Sequence, residues 1–281
     1  MDKVFVVEEG VFGKCLVVTS QWDKEYECYL KENNIKELNL NYARGWKEED
    51  LFFLKDLPYL EGLKITAWYI NISQINYLHS LRNLSLATFS KSKIDFNNFP
   101  KLEDCFIEWR TPTDTLFDCI SMKKLCINQY KGKDTSQFSR LDNLVNLRIM
   151  NSPIRSLEGL SGLKKLKSLE VANFRKLESL KGIETLTQLE ELQIHGCRKI
   201  NNIEIIGELT NIKILYLCNV GMIDNIQPLE QLKDLERFIF YEDTNIVDGD
   251  LTPLTKLPKL NYVAYQHRKH YSHKRDTFPP A

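Results

Sequence analysis

Two patterns of apolar residues alternate along the chain. Around Leu192 and Ile194, apolar and polar positions alternate with a period of two, which is typical of a β-strand with one buried face. Immediately afterwards the apolar residues fall three positions apart, at Ile200, Ile203 and Ile206. That spacing favours a 3₁₀-like or extended segment, because side chains at i and i+3 lie above one another in a 3₁₀ turn. The sequence thus predicts short strands that alternate with tight return segments.

This unit of one strand and one return segment recurs along most of the chain, at spacings of 20 to 25 residues. A single unit cannot bury its own apolar edge, so each one requires a neighbour on both sides. We therefore expect a solenoid with about eleven parallel strands, one from each unit. The units begin at Ile35, Leu60, Leu81, Leu102, Met122, Leu144, Leu166, Leu189, Ile212, Leu235 and Leu260.

These units resemble the leucine-rich repeat family. The unit that starts at Leu144 looks like the short repeat of bacterial internalins, and the unit that contains Cys197 looks like the cysteine-containing type. The resemblance implies an α/β-type solenoid, a horseshoe or arc with the strands on its concave face and 3₁₀, short helical or extended segments on its convex side. The family usually places Asn or Cys three residues after the last strand leucine. Here Asn151, Asn173 and Asn219 lie one position earlier, which leaves the turn geometry open.

The ends of the chain depart from the repeat. Within residues 1–34, two apolar stretches flank a glycine-containing turn and predict a hairpin, and residues 22–31 predict a short amphipathic helix. We interpret this segment as an N-terminal cap over the first edge of the array, because it is too short for a core of its own. The array itself spans 35–265. The basic tail at 266–281 is either an end cap or a disordered arm.

Composition narrows the classes of partner and setting. Acidic and basic residues number 38 each, so no net charge attracts the chain to nucleic acid or to a lipid surface. No apolar run reaches membrane-spanning length, and the first residues lack the pattern of a secretory signal. The seven cysteines include no C-x-x-C pair and fit a reducing compartment. We therefore expect a cytoplasmic protein that binds neither nucleic acid nor membrane and uses no metal or cofactor.

The candidate site follows from the outward strand positions, because the sequence contains no recognisable catalytic or nucleotide-binding motif. The family resemblance implies that these positions form a continuous concave surface. Aromatic residues and arginine are enriched at protein-binding hot spots, and an apolar patch rimmed by charge usually marks an interaction site. The predicted partner-binding residues are Phe106, Glu108, Trp109, Arg110, Tyr130, Arg148, Glu170, His195, Tyr216, Ile239 and Tyr241.

Our interpretation is a non-enzymatic protein–protein interaction module that binds another protein through its concave face. An inhibitor or immunity-type protein is one specific form of this hypothesis. One alternative is an internalin-like surface or secreted effector module. Another is a ligand receptor or enzyme with a polar pocket formed by Arg148, Glu170 and His195. A deep pocket would favour that alternative, whereas an open groove would argue against it.

Overall fold

The computed structural model describes residues 5–109 and 115–278. The chain divides into two compact units, Met1–Asn128 and Gln129–Ala281. Both units consist of short strands joined by tight return segments, as the alternating apolar patterns predict. Within the described residues, no helix is long and apolar enough to cross a membrane.

In the first unit, one antiparallel hairpin precedes a series of parallel strands. β1 and β2 form the hairpin, and each strand from β2 to β7 pairs in parallel with the next. The elements are β1 Phe5–Gly10, β2 Gly13–Val18, α1 Lys24–Glu32, β3 Glu37–Asn41, β4 Gly62–Ala67, β5 Asn83–Thr88, β6 Asp104–Glu108 and β7 Lys124–Asn128.

The predicted hairpin and short helix at the N-terminus are both confirmed. Asp23 caps α1 by accepting the backbone N–H of Glu25, and the helix buries Tyr26 and Leu30. The ring of Phe5 on β1 lies 5.4 Å from that of Tyr26. The helix therefore packs its apolar face against the hairpin, so that both elements bury apolar side chains.

A buried carboxylate ties the hairpin to the first repeat. Glu37 on β3 is only 7% exposed, and it accepts backbone N–H groups from Val11, at 3.0 Å, and Phe12 in the hairpin turn. Glycines make room for it, since a Cβ at Gly10 would lie 2.4 Å from Glu37 Oε2 and one at Gly62 would lie 2.7 Å from Glu37 Cγ. These hydrogen bonds offset the cost of burying the carboxylate.

In the second unit, six parallel strands form one sheet in the order β8, β9, β10, β11, β13, β15, and β12 pairs with β14 beside it. Together with β3 to β7, these six strands are the eleven that the repeat predicts. The elements are β8 Asn146–Met150, β9 Ser168–Ala172, β10 Glu191–His195, β11 Ile214–Cys218, β12 Met222–Ile223, β13 Arg237–Tyr241, β14 Asn245–Ile246, α2 Thr252–Thr255 and β15 Tyr262–Tyr265.

The return segments are largely 3₁₀ helices, which confirms the prediction from apolar residues spaced three positions apart. The N–H of Ile206 bonds to the carbonyl of Ile203 at 2.9 Å, and Leu209 bonds to Ile206 at 3.0 Å. The same apolar residues are at most 2% exposed, so each hydrogen-bonded step buries one side chain. The 3₁₀ segments are Tyr42–Arg44, Phe52–Asp56, Ser73–Tyr77, Phe96–Asn98, Leu116–Asp118, Ser136–Arg140, Glu158–Leu160, Ile183–Thr185, Glu204–Glu208, Gln227–Gln231 and Arg275–Thr277.

The position of the asparagines has a backbone explanation. Asn151, Asn173 and Asn219 follow directly after their strands and have φ angles of 54°, 60° and 54°. Gly196 holds the same position in its repeat, at 64°. Asparagine tolerates this left-handed conformation better than other residues with a side chain, and glycine better still. The asparagines thus occupy the turn position that needs positive φ, and a buried residue follows each of them.

The tail, which the sequence left as either a cap or an arm, packs on the last repeat. Tyr271 and Phe278 are buried, and the Tyr265 ring stacks on Phe240 at 4.9 Å. The Tyr265 hydroxyl donates to the carbonyl of His273 at 3.0 Å. The described part of the tail therefore covers the aromatic end of the second unit's core.

Candidate functional site

The outward strand positions lie in the columns that the repeat predicts. In the first unit, β-pairing aligns Asn39, Lys64, Ser85, Phe106 and Cys126. In the second, it aligns Arg148, Glu170, Gln193, Tyr216, Ile239 and Ala264. The predicted register is therefore confirmed in both units.

Three of the predicted partner-binding residues lie near one another at β6 of the first unit. Phe106 and Glu108 are half-buried on the outward side of the strand. The carboxylate of Glu108 accepts a hydrogen bond from the Asn128 amide at 2.8 Å, and Trp109 packs its ring 5.9 Å from that of Phe117. Arg110 lies outside the described residues.

The prediction that Tyr130 is a partner-binding residue beside the outward columns is wrong. Its side chain is fully buried, its ring lies 5.1 Å from that of Phe138, and its hydroxyl donates to the carbonyl of Asp134 at 2.9 Å. Burial raises the pKa of Tyr130 to about 12. The cause is the left-handed turn at Gln129, with φ of 59°, after which the chain directs the next side chain inward. Phe174 occupies the equivalent buried position two repeats later.

In the second unit, the outward residues at one end of the sheet carry opposite charges that form an ion pair. Those towards the other end are largely apolar or aromatic. Arg148 forms an ion pair with Glu170. His195 lies within 3.1 Å of the Gln193 carboxamide oxygen, and its ring centroid is 6.2 Å from that of Tyr216. Further along the sheet, Ile239 is half-buried and Tyr241 is 45% exposed.

A groove that the sequence did not predict lies at the carboxyl ends of strands in the first unit. We call it the aromatic groove. Its volume is about 250 Å³. The lining residues are Tyr42, Ala43, Thr66, Ala67, Trp68, Ala87, Thr88, Phe89 and Glu108.

Small side chains leave the space that aromatic side chains enclose. Ala67 and Ala87 come from the ends of neighbouring repeats, where larger residues would fill the groove. Trp68 is 60% exposed and its ring lies 5.5 Å from that of Phe89. Tyr69, which is 80% exposed, adjoins the groove with its ring 5.9 Å from Phe89. Exposed aromatic rings beside an open groove form an apolar surface, and a partner's apolar group that binds there is removed from water.

The sequence carries a signal for this groove that the strand columns missed. Trp68, Phe89 and Trp109 follow the ends of three consecutive strands, outside the positions that the column rule selects. An aromatic residue just beyond each strand end was the pattern to look for.

Among the described residues, no group of three or more His, Cys, Asp or Glu side chains is arranged to hold a metal ion.

The repeated strand and 3₁₀ return segment, stacked in register within each unit, give the chain a leucine-rich repeat fold. A family described as the LRR domain of the endo-beta-N-acetylglucosaminidase EndoS matches residues 121–207. The curated proteins contain no match to the sequence.

Solved structures with the same fold come from bacteria and plants. The internalin inlF of Listeria monocytogenes is 18% identical, with 88% of this chain and 80% of that one covered and a TM-score of 0.61. A TDR receptor is 12% identical, with 87% and 45% covered and a TM-score of 0.63. The Arabidopsis receptor kinase HAESA, solved with the peptide hormone IDA and the co-receptor SERK1, is 15% identical, with 76% and 43% covered and a TM-score of 0.54. At these identities the likeness concerns the fold alone.

Proposed function

We propose that the chain is a binding module that recognises a protein partner, with the aromatic groove as its main anchor point. The observation that carries this proposal is the exposure of Trp68 and Tyr69 beside a floor of alanines. Tryptophan and tyrosine dominate the energetics of protein interfaces, and hot spots usually fill pockets on the partner or receive a side chain from it. The groove's size suits one large apolar side chain of the partner.

The outward strand residues extend the proposed interface around this anchor in the first unit and form a second recognition surface in the other. Phe106 and Glu108 lie on the strand beside the groove, and Tyr216, Ile239 and Tyr241 provide apolar contact area in the second unit. Strands that are hydrogen-bonded on both sides present these residues in fixed positions. A surface of this kind loses little conformational entropy on binding, so its contacts contribute more directly to affinity.

The ion pair between Arg148 and Glu170 supports a binding role over catalysis at that surface. Each side chain satisfies the charge of the other, and the neighbouring His195 is engaged with Gln193. The complex of HAESA with a peptide hormone and a co-receptor is a case in which a protein of this fold binds protein ligands. We extend that capacity, and not those ligands, to this chain.

Our proposal includes a cytoplasmic setting and an inhibitor or immunity-type role. Its support is the burial of cysteines: the thiols of Cys105, Cys119 and Cys197 lie in the apolar interior. Burial raises the pKa of Cys105 well above its ordinary value and that of Cys197 to about 11, so these thiols serve as buried apolar side chains. Secretion followed by recognition outside the cell is the competing proposal. Subcellular fractionation of the native protein distinguishes the two.

The test is an affinity capture from cells of the source organism, with the wild type and two matched double variants. Trp68→Ala/Tyr69→Ala removes the two most exposed aromatic side chains at the groove. Phe52→Ala/Tyr77→Ala removes two other exposed aromatic residues of the first unit, which lie on 3₁₀ segments and flank Lys55. Circular dichroism establishes that both variants fold.

We expect the wild type and the Phe52/Tyr77 variant to retain the same partner, and the Trp68/Tyr69 variant to lose it. Loss of a hot-spot pair weakens binding by about 1,000-fold, since such residues contribute roughly 2 kcal/mol each and about 1.4 kcal/mol corresponds to a tenfold change. Equal retention by both variants would contradict the groove as anchor. Loss only in the Phe52/Tyr77 variant would place the site on the 3₁₀ side.

A further inference from the structure

A second hollow, in the second unit, has a character opposite to that of the aromatic groove. We call it the basic hollow. Its volume is about 580 Å³, and it lies beyond the carboxyl ends of the strands. The lining residues are Gln129, Lys131, Asn151, Ser152, Pro153, Asn173, Arg175 and Lys176.

Three cations of this hollow have no carboxylate partner among the described residues. Lys131, Arg175 and Lys176 are all exposed. Arg175 and Lys176 occupy the outer corner of a turn that is closed by the Leu177 N–H bonding to the Phe174 carbonyl at 3.1 Å. Their positive charges therefore project into solvent instead of being compensated by the protein.

The next repeat provides an internal comparison. The same Arg-Lys dipeptide recurs there as Arg198 and Lys199, 23 residues later. In that repeat both charges are compensated: Arg198 pairs with Asp243 at 2.7 Å, and Lys199 pairs with Glu178 at 2.6 Å. The lack of compensation at Arg175 and Lys176 is therefore a property of this hollow and not of the dipeptide.

The floor of the hollow adds directional polar groups. Asn151 and Asn173 are held in the left-handed turn conformation, and the Asn173 amide nitrogen donates to the Asn151 carboxamide oxygen at 3.1 Å. The backbone conformation and this hydrogen bond fix the carboxamide of Asn173, whose amide group carries a second N–H. An anion between the cations can accept that N–H.

We propose that the basic hollow binds an acidic peptide segment in an extended conformation. Lys131 and Arg175 hold equivalent positions two repeats apart, so their backbones are separated by two strand spacings, roughly 10 Å. In a peptide extended as a polyproline II helix, carboxylates at i and i+3 lie on the same side and about 9 Å apart, at about 3.1 Å per residue. A single phosphate group is much shorter than this span. The spacing therefore selects a run of carboxylates, and this inference does not depend on the aromatic groove.

The test measures fluorescence anisotropy of a labelled hexaglutamate peptide titrated with the full chain, with hexaglutamine as the uncharged control. Arg175→Gln/Lys176→Gln removes two charges of the hollow. Arg198→Gln/Lys199→Gln removes the same residue types from the same turn position, with the same change in net charge. Lys131→Gln tests the far end of the site. Circular dichroism checks the fold of each variant.

We expect hexaglutamate to bind and hexaglutamine not to bind. The Arg175/Lys176 variant should bind about tenfold more weakly, Lys131→Gln about threefold more weakly, and the Arg198/Lys199 variant within about twofold of wild type. Raising the salt concentration from about 50 to about 500 mM should weaken binding, because exposed charges are screened. Absence of hexaglutamate binding, an equal loss in both double variants, or full displacement by an equal concentration of inorganic phosphate would each overturn the proposal.

Discussion

The turn glycine Gly182 offers a sharp test of how the second unit is packed. Its φ angle is 106°, a conformation that residues with a side chain rarely adopt. A Cβ there would lie 2.4 Å from the Leu157 carbonyl oxygen and 2.5 Å from Glu158 Cα. Both of these atoms belong to the backbone of the preceding repeat, so neither can rotate away. Gly182→Ala therefore combines backbone strain with steric overlap.

Gly221 separates these two effects. Its φ angle is similar, at 95°, but the nearest atom to its Cβ position is the Arg198 carbonyl oxygen at 3.1 Å, a tight contact that a shift of a few tenths of an ångström relieves. Strain alone costs about 1 to 3 kcal/mol, and a forced overlap in a packed region adds about 1 to 3 kcal/mol. We expect Gly221→Ala to lower the free energy of unfolding by about 1.5 kcal/mol and Gly182→Ala to lower it by about 4 kcal/mol.

The assay is equilibrium urea unfolding followed by circular dichroism, with both variants and the wild type at the same protein concentration. Comparable m-values are needed for the comparison, since a changed m-value indicates a different unfolding transition. Equal losses of stability in the two variants would refute the reasoning, because they would mean that contact between neighbouring repeats at Gly182 is not as close as the structure shows.

Three further predictions concern Glu37 at the hairpin, the pH dependence of stability, and the positive φ angle of Glu242. Glu37→Gln should lower the free energy of unfolding by about 2 kcal/mol, because a carboxylate that accepts two N–H groups becomes an amide that accepts fewer. Urea unfolding measures this loss of stability. An equal loss in the exposed control Glu9→Gln would contradict the prediction. Stability should fall as pH rises from about 9 to 11, because burial raises the pKa of Cys197 to about 11, so the folded chain retains a proton that the unfolded chain releases. Cys197→Ala should reduce that slope and Cys28→Ala, at an exposed position, should not, as urea midpoints across this pH range will show. Glu242→Asn should raise stability by about 0.5 kcal/mol in urea unfolding, because φ at this position is 59° and asparagine tolerates that conformation better; a decrease would argue that the Glu242 side chain stabilises the turn.

The candidate site was only partly predictable. The register of the outward columns follows from the repeat, so Phe106, Glu108, Tyr216 and Ile239 lie on the strand positions expected of them. Tyr130, which we predicted to lie beside these positions, is buried instead, since the left-handed residue before it directs its side chain inward. The alternation within a strand does not specify which way a side chain beyond the strand end points.

The sequence by itself determined the architecture, because its information is local and repeated. Alternation specifies which face of each strand is buried, and the spacing of three coincides with i to i+3 hydrogen bonds in the return segments. Repetition then requires that each unit stack on another, since no unit buries its own apolar edge. These features follow from spacings that any one repeat shows.

Only the tertiary structure decided which surfaces are open and which charges are compensated. The aromatic groove exists because small residues of neighbouring repeats leave room between Trp68 and its surroundings. The two Arg-Lys dipeptides are identical in sequence, yet Arg198 and Lys199 meet carboxylates from other repeats and Arg175 and Lys176 meet none within the described residues. The physical reason is the same in both cases. Exposure and electrostatic pairing depend on residues about one or two repeats away in sequence, and their side chains meet only when the repeats stack.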